Sequence, residues 1–115
     1  MPRGGIQMPE NSYVIYQLKK NSENMDRVFM PLKYLHEKHI LVQREKYALV
    51  YRAPLEEGES LDGLYLKFNL DHPSDFTGHS LSVSDVVVLR KDGAETAYYV
   101  DDMGFTEVPE FLQDS

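Results

Sequence analysis

Runs of β-branched and aromatic residues are separated by polar segments along the chain, and four of these runs predict β-strands. They lie at residues 13–18, 47–51, 83–89 and 94–100. The last two flank the turn Lys91-Asp92-Gly93, where glycine supplies the positive φ of a tight turn, so they predict a β-hairpin. We expect this hairpin to lie at the centre of a largely antiparallel sheet of about four strands.

The run at residues 47–51 is apolar at every position. A strand with that pattern is typically covered on both faces of its sheet. Pro54 and the acidic residues that follow it are expected to end this strand, because proline cannot donate a hydrogen bond to a neighbouring strand.

Residues 31–39 predict a short helix. Pro31 suits the first turn, where the N–H that proline lacks would have no partner within the helix. The 3.6-residue period then places four side chains on one face: Leu32, Leu35, His36 and His39. A helix of this length depends on packing for its stability.

A second helix is predicted after Ser60, which suits the N-cap position. The spacing i, i+3, i+4, i+7 gives a buried stripe that consists of Leu61, Leu64, Tyr65 and Phe68. Gly63 weakens this helix by about 1 kcal/mol relative to alanine. We expect both helices to pack on one face of the sheet, which makes the fold class α+β.

The chain of 115 residues has the length of a single domain with one core. Residues 1–11 contain two prolines and two glycines without an apolar period, and they predict a flexible leader. Residues 12–112 are expected to form the domain, and residues 113–115 a loose tail.

The chain has no cysteine, which removes disulfides and thiolate nucleophiles, and agrees with a reducing compartment. No segment approaches the roughly 18 consecutive apolar residues that span a bilayer, and the first residues lack the apolar core of a signal peptide. These features predict a cytoplasmic protein without membrane insertion.

Twelve Lys and Arg stand against nineteen Asp and Glu, which gives a formal net charge of −7. The basic residues are scattered, so a nucleic-acid backbone would be repelled and direct nucleic-acid binding is disfavoured. The acidic segments 56–59 and Asp101-Asp102 are either solvated surface charge or an imitation of nucleic-acid phosphates that faces a basic partner.

The polar segment at residues 69–80 predicts a long loop, and long loops in small domains are often functional. In this loop and just after it lie five side chains that could take part in catalysis or ligand binding: His72, Asp75, His79, Ser80 and Asp85. A small hydrolase would need histidine and serine within hydrogen-bonding reach, and no Gly-x-Ser-x-Gly motif is present. The competing interpretation is that these groups form turns and bind main chain.

Metal binding is a further hypothesis, with His72, Asp75 and His79 as one ligand set and His36 with His39 as another. Neither set matches a zinc spacing, and no glycine-rich phosphate loop is present in the sequence. The sequence therefore predicts no metal and no cofactor.

Several sequence blocks resemble the YodL-like family of small bacterial proteins and the related modules of polyvalent proteins from mobile elements. The blocks are residues 13–18 (YVIYQL), 29–35 (FMPLKYL), 47–51 (YALVY), 72–87 (HPSDFTGHSLSVSDVV), 97–101 (AYYVD) and 104–105 (GF). The resemblance implies a cytoplasmic bacterial protein, often carried by conjugative elements of Gram-positive bacteria. One family member looks like a modulator of the actin-like filament protein that governs rod shape. The family offers no agreed catalytic motif to transfer.

We therefore expect a non-enzymatic module that binds another bacterial protein, with the actin-like filament system as the implied partner. One alternative is an inhibitor of a host defence nuclease, and a second is the small hydrolase or metal-dependent enzyme. The oligomeric state is left open, since an exposed sheet edge could support dimerisation. The predicted interface consists of His72, Asp75, Phe76, His79, Ser80, Asp85, Asp101 and Asp102.

Overall fold

The computed structural model describes residues 11–20, 29–78, 80–102 and 104–113. Within these ranges one antiparallel sheet contains strands β1 (Ser12–Leu18), β2 (Tyr47–Pro54), β3 (Val86–Lys91), β4 (Ala94–Asp101) and β5 (Gly104–Glu107), in the order β2-β1-β3-β4-β5. The helices are α1 (Leu32–Glu37) and α2 (Leu61–Leu70), with 3-10 turns at Arg44–Lys46 and Pro109–Leu112. The predicted leader and tail lie outside the described residues, except for Asn11 and Gln113.

The single α+β domain and its antiparallel sheet are confirmed, with five strands where about four were expected. The hairpin of β3 and β4 is confirmed, and β3 is the central strand. β3 begins at Val86, later than predicted, because Ser84 has a φ of 92° and cannot continue an extended strand. The additional strand, β5, pairs with β4 from Tyr98 to Asp101.

The two helices pack on opposite faces of the sheet, so the prediction that they share one face is wrong. Leu32 and Leu35 of α1 join the cluster that contains Val86 and Val88 of β3. Leu64 and Phe68 of α2 join the cluster that contains Val87 and Leu89 of the same strand. Successive side chains of a strand point to opposite faces, and all four of these β3 residues are buried. A central strand that is apolar on both faces needs cover on both, which one layer of helices cannot give.

β2 is an edge strand, and the predicted cover on both faces holds for only part of it: Tyr47 joins the core cluster on the α1 face and Tyr51 packs against the cluster on the α2 face, whereas Leu49 is exposed. It pairs with β1 in an antiparallel register that shifts between Ile15 and Tyr16 and leaves Val50 of β2 without an opposite residue. Leu49 is 47% exposed. The continuous apolar run at residues 47–51 reflects this bulge, which interrupts the alternation of inward and outward side chains.

Helix α1 ends at Glu37, two residues before the predicted end. His39 has a φ of 61°, and the N–H groups of His39 and Ile40 donate to the carbonyls of His36 and Leu35 at 3.0 and 2.8 Å. This pair of bonds is the Schellman arrangement, in which a residue in the left-handed conformation terminates a helix. His36 and His39 therefore do not lie one helical turn apart as a ligand pair.

Candidate functional site

The loop between α2 and β3 is held on the α2 face of the sheet by Phe76. This side chain is buried, and its ring lies 4.8 Å from that of Phe68 and 5.8 Å from that of Tyr51 in edge-to-face contacts. The ring of exposed His72 lies tilted against that of Phe76 at 5.5 Å, and its Nδ1 is 3.0 Å from the carbonyl oxygen of Pro73. The loop follows α2 directly, because α2 includes residues 69 and 70, where the sequence predicted that the loop would begin.

Asp75 lies on the surface of this loop, where its carboxylate accepts a hydrogen bond from the hydroxyl of Tyr51 at 3.1 Å. Ser80 is exposed, and its carbonyl oxygen accepts from the hydroxyl of Ser82 at 2.8 Å. His79 lies outside the described residues. His72 and Asp75 therefore engage different neighbours, and these contacts tie the loop to itself and to β2.

Asp85 is buried at the end of the same loop, immediately before β3. Its carboxylate accepts from the side-chain amide of Gln17 at 3.1 Å and from the backbone N–H of Ser82 at 2.9 Å. Burial raises the pKa of Asp85 to about 7, although both hydrogen bonds act in the opposite direction. With Asp85 and Phe76 both buried, a partner would meet the exposed residues of this loop and not these two side chains.

The sequence pair Asp101-Asp102 divides into one residue that builds the fold and one that faces solvent. Asp101 accepts hydrogen bonds from the backbone N–H of Leu32 at 3.1 Å, the backbone N–H of Asp102 at 2.9 Å and the hydroxyl of Thr106 at 3.1 Å. It thereby joins the first turn of α1 to the turn between β4 and β5. Asp102 is exposed beside it.

A surface depression lies next to Asp102, between the start of α2 and strand β5. Its lining includes Asp62, Tyr65 and Phe105 together with Asp101 and Asp102, and its volume is about 270 Å³. The rings of Tyr65 and Phe105 meet edge to face at 6.3 Å. The depression is therefore lined by two aromatic rings and three carboxylates.

Helix α2 carries apolar side chains on its solvent side that the sequence prediction did not identify. Leu66 is 57% exposed and Leu70 is 79% exposed. Tyr65, predicted in the buried stripe, is 40% exposed, whereas Leu64 and Phe68 are fully buried as predicted. The sequence signal for this exposed apolar patch was the i, i+4 spacing of Leu66 and Leu70, which both lie outside the predicted buried stripe. We call Asp62, Tyr65, Leu66, Leu70, Asp102 and Phe105 together the α2 surface.

A second, open groove lies at the end of α1 and is lined by His36, His39, Leu41 and Glu110. The Nε2 of His36 lies 3.3 Å from the carboxylate of Glu110, which also accepts from the backbone N–H of Val42 at 3.4 Å. Glu110 thus tethers the C-terminal 3-10 turn to the segment after α1. Among the residues that the structure describes, no group of three or more His, Asp or Glu side chains has the geometry to hold a metal ion.

The fold and the exposed α2 surface define a small α+β domain with an open antiparallel sheet and an apolar patch flanked by acidic groups. A family model described as the YodL-like domain matches residues 12–111, nearly the whole chain. The chain belongs to the YodL-like family, which confirms the resemblance seen in the sequence blocks. Comparison with curated proteins and with solved structures gives no match.

None of the described helices is long and apolar enough to cross a bilayer. The longest of them, α2, has ten residues, about half of the number that a membrane-spanning helix needs.

Proposed function

We propose that this chain is a non-enzymatic protein-binding module and that the α2 surface is its binding site. The observation that carries the proposal is the exposure of Leu66 and Leu70, one helical turn apart on α2. Contiguous apolar side chains on the surface of a small domain are typical of sites that contact another protein.

The energetics favour a partner that covers this patch. Burial of a leucine side chain stabilises a complex by about 1.5–3 kcal/mol relative to leaving it in water. Tyr65 adds an aromatic ring that packs edge to face with Phe105, so the ring is already oriented before a partner arrives. Tyrosine is enriched among the residues that dominate binding energy at interfaces, so Tyr65 would be the main anchor and the leucines would add buried apolar area.

The carboxylates beside the patch specify the charge of the partner. Asp62 and Asp102 are exposed, and the chain as a whole carries a net charge of −7. Electrostatic complementarity then requires lysine or arginine around an apolar centre on the partner, and the association rate should fall as salt is added.

Two observations support binding over catalysis by the 72–85 loop. Asp85 is buried and bound to Gln17 and Ser82, and Asp75 is bound to Tyr51. A general base must reach the substrate proton that it abstracts, and Asp85 is not accessible from the surface.

The partner that the family resemblance implies is the actin-like filament protein of a bacterial cytoplasm, which places this chain in the cytoplasm as well. The alternative partner is a host defence nuclease, and the exposed carboxylates Asp62 and Asp102 favour it, because a nuclease presents a basic surface to nucleic acid. Both partners would use the same α2 surface, so one set of variants serves both.

The test is a tagged pull-down from the cytosol of a Gram-positive host, followed by direct titration of the purified filament protein and of any captured nuclease. The variant Leu66→Asp/Leu70→Asp should lose the partner. The matched control is Leu41→Asp, since Leu41 is 53% exposed but lies in the separate groove at the end of α1.

Loss of binding in the α2 variant, with binding retained in the Leu41 control and both variants folded by circular dichroism, supports the proposal. Equal binding by wild type and the α2 variant would refute the site. If the purified filament protein fails to bind while a nuclease binds, the partner is the nuclease.

A further inference from the structure

The two edges of the sheet differ in how well they are protected against pairing with another strand. At one edge β5 has only four residues, which include the polar side chains of Thr106 and Glu107. At the other edge β2 has eight residues, and Arg52 is its single charged side chain. Natural edge strands are usually short, charged or covered, so β2 is the less protected of the two edges among the strands described.

The outer edge of β2 has features that favour pairing with a further β-strand. Leu49 is 47% exposed near the middle of the strand. The bulge at Val50 is one protective feature, and it divides the strand into the regularly paired segments 47–49 and 51–54. Backbone N–H and C=O groups along an edge strand point outward in alternation and offer hydrogen bonds to an added strand.

The charges that flank β2 are opposite in sign. Arg44 and Lys46 precede the strand, with Glu45 between them, and Glu56 and Glu57 follow it. When two copies of such a segment align antiparallel, the basic end of each meets the acidic end of the other. A parallel alignment would instead place like charges together.

We propose that β2 pairs antiparallel with β2 of a second copy of this chain, which joins the two sheets into one across a two-fold axis. This arrangement is isologous, so the contact between the basic end of one copy and the acidic end of the other forms twice. It also buries Leu49 of each chain near the axis, since Leu49 lies close to the midpoint of the strand. The proposal does not use the α2 surface, whose Asp62, Tyr65, Asp102 and Phe105 line a depression beside β5 at the other edge of the sheet.

The test is sedimentation equilibrium over a wide range of protein concentration, with four samples. Wild type should sediment as a dimer. Glu56→Lys/Glu57→Lys alone and Arg44→Glu/Lys46→Glu alone should each weaken the dimer, with a rise in Kd of about tenfold or more. An equimolar mixture of the two variants should dimerise again, because each then presents the charge that the other lacks.

Two further variants serve as controls. Glu107→Lys reverses one charge at β5 and should leave the dimer intact, and so should Leu66→Asp/Leu70→Asp on the α2 surface. Leu49→Asp should abolish the dimer while the circular dichroism spectrum stays unchanged.

A wild type that remains monomeric from micromolar to millimolar concentration would overturn the proposal. So would a dimer that survives Leu49→Asp, or a mixture of the two charge variants that stays monomeric. None of these outcomes affects the partner titration of the α2 surface, so the two proposals fail separately.

Discussion

The side chain of Gln17 on β1 donates a hydrogen bond to the carboxylate of Asp85 at 3.1 Å, across 68 residues of sequence. The side chain of Gln17 also lies against Gly78: a Cβ added at Gly78 would lie 2.5 Å from Oε1 of Gln17. One buried glutamine therefore contacts the long loop at two places. It fixes the loop against the sheet.

Burial of Asp85 predicts a pH dependence of stability. The pKa is raised from 3.8 to about 7 in the folded protein, so the folded state holds the proton more tightly than the unfolded state. The stabilisation is fully present below the unfolded pKa, and it is lost as the pH rises through the folded pKa. The free energy of unfolding should therefore fall by up to about 4 kcal/mol between roughly pH 4 and pH 7 because of this group.

Denaturant unfolding of wild type and Asp85→Asn across this pH range isolates the effect. The amide oxygen of asparagine can accept from both Ser82 and Gln17, as Oδ2 of Asp85 does, and it carries no charge, so the variant should lose this slope and be more stable than wild type above pH 7. Parallel stability curves for the two proteins would show that Asp85 does not titrate in this range.

Gly78→Ala should destabilise the protein. The added Cβ would lie 2.5 Å from Oε1 of Gln17 and 2.9 Å from Cζ of Phe76, and both neighbours are buried. Displacement of packed groups of this kind costs about 1–3 kcal/mol. The measurement is the denaturant midpoint at constant m value.

The matched control is Gly63→Ala in α2, where the nearest atom is the hydroxyl oxygen of Ser60 at an ordinary 3.5 Å. This change should stabilise the protein by about 1 kcal/mol, because alanine favours the helix over glycine. A stabilising Gly78→Ala would mean that the loop shifts freely away from Gln17.

Ser60→Ala should destabilise the protein by about 1 kcal/mol. The hydroxyl of Ser60 accepts from the backbone N–H of Gly63 at 3.1 Å and is the N-cap of α2. Ser60→Asp preserves the acceptor and should retain stability, as measured by thermal unfolding. If alanine and aspartate have the same effect, the cap does not contribute.

The sequence predicted local structure well where one pattern determines it. Ser60 as N-cap, the buried residues Leu64 and Phe68, and the turn at Gly93 are all confirmed, because caps, helical spacing and tight turns depend on neighbours in sequence. The position of each helix relative to the sheet was not predictable in this way. The alternation in β3 assigns residues to two faces but does not say which helix covers which face.

The candidate site was less predictable than the fold. A carboxylate in sequence carries no mark of its burial, so Asp85 and Asp102 looked equivalent although one is buried and the other exposed. Leu66 and Leu70 lie outside the predicted buried stripe of α2, so their exposure followed from the same helical spacing, although that consequence was not drawn from the sequence.

Variants of the adjacent residues Asp101 and Asp102 should separate an effect on folding stability from an effect on partner binding. Asp101→Ala removes the acceptor for Leu32, Asp102 and Thr106, and it leaves the first turn of α1 without this partner. The expected loss of stability is about 1–3 kcal/mol. Asp102→Ala removes an exposed carboxylate from the α2 surface and should leave the melting temperature nearly unchanged.

Binding should show the reverse pattern if the α2 surface is the interface. Asp102→Ala should slow association with a basic partner at low salt, and the difference from wild type should shrink as salt is added. Asp101→Ala, measured at a temperature where it is folded, should bind more nearly like wild type, because its carboxylate already serves three internal donors. A stability loss in Asp102→Ala, or equal association rates for all three proteins, would contradict this division of roles.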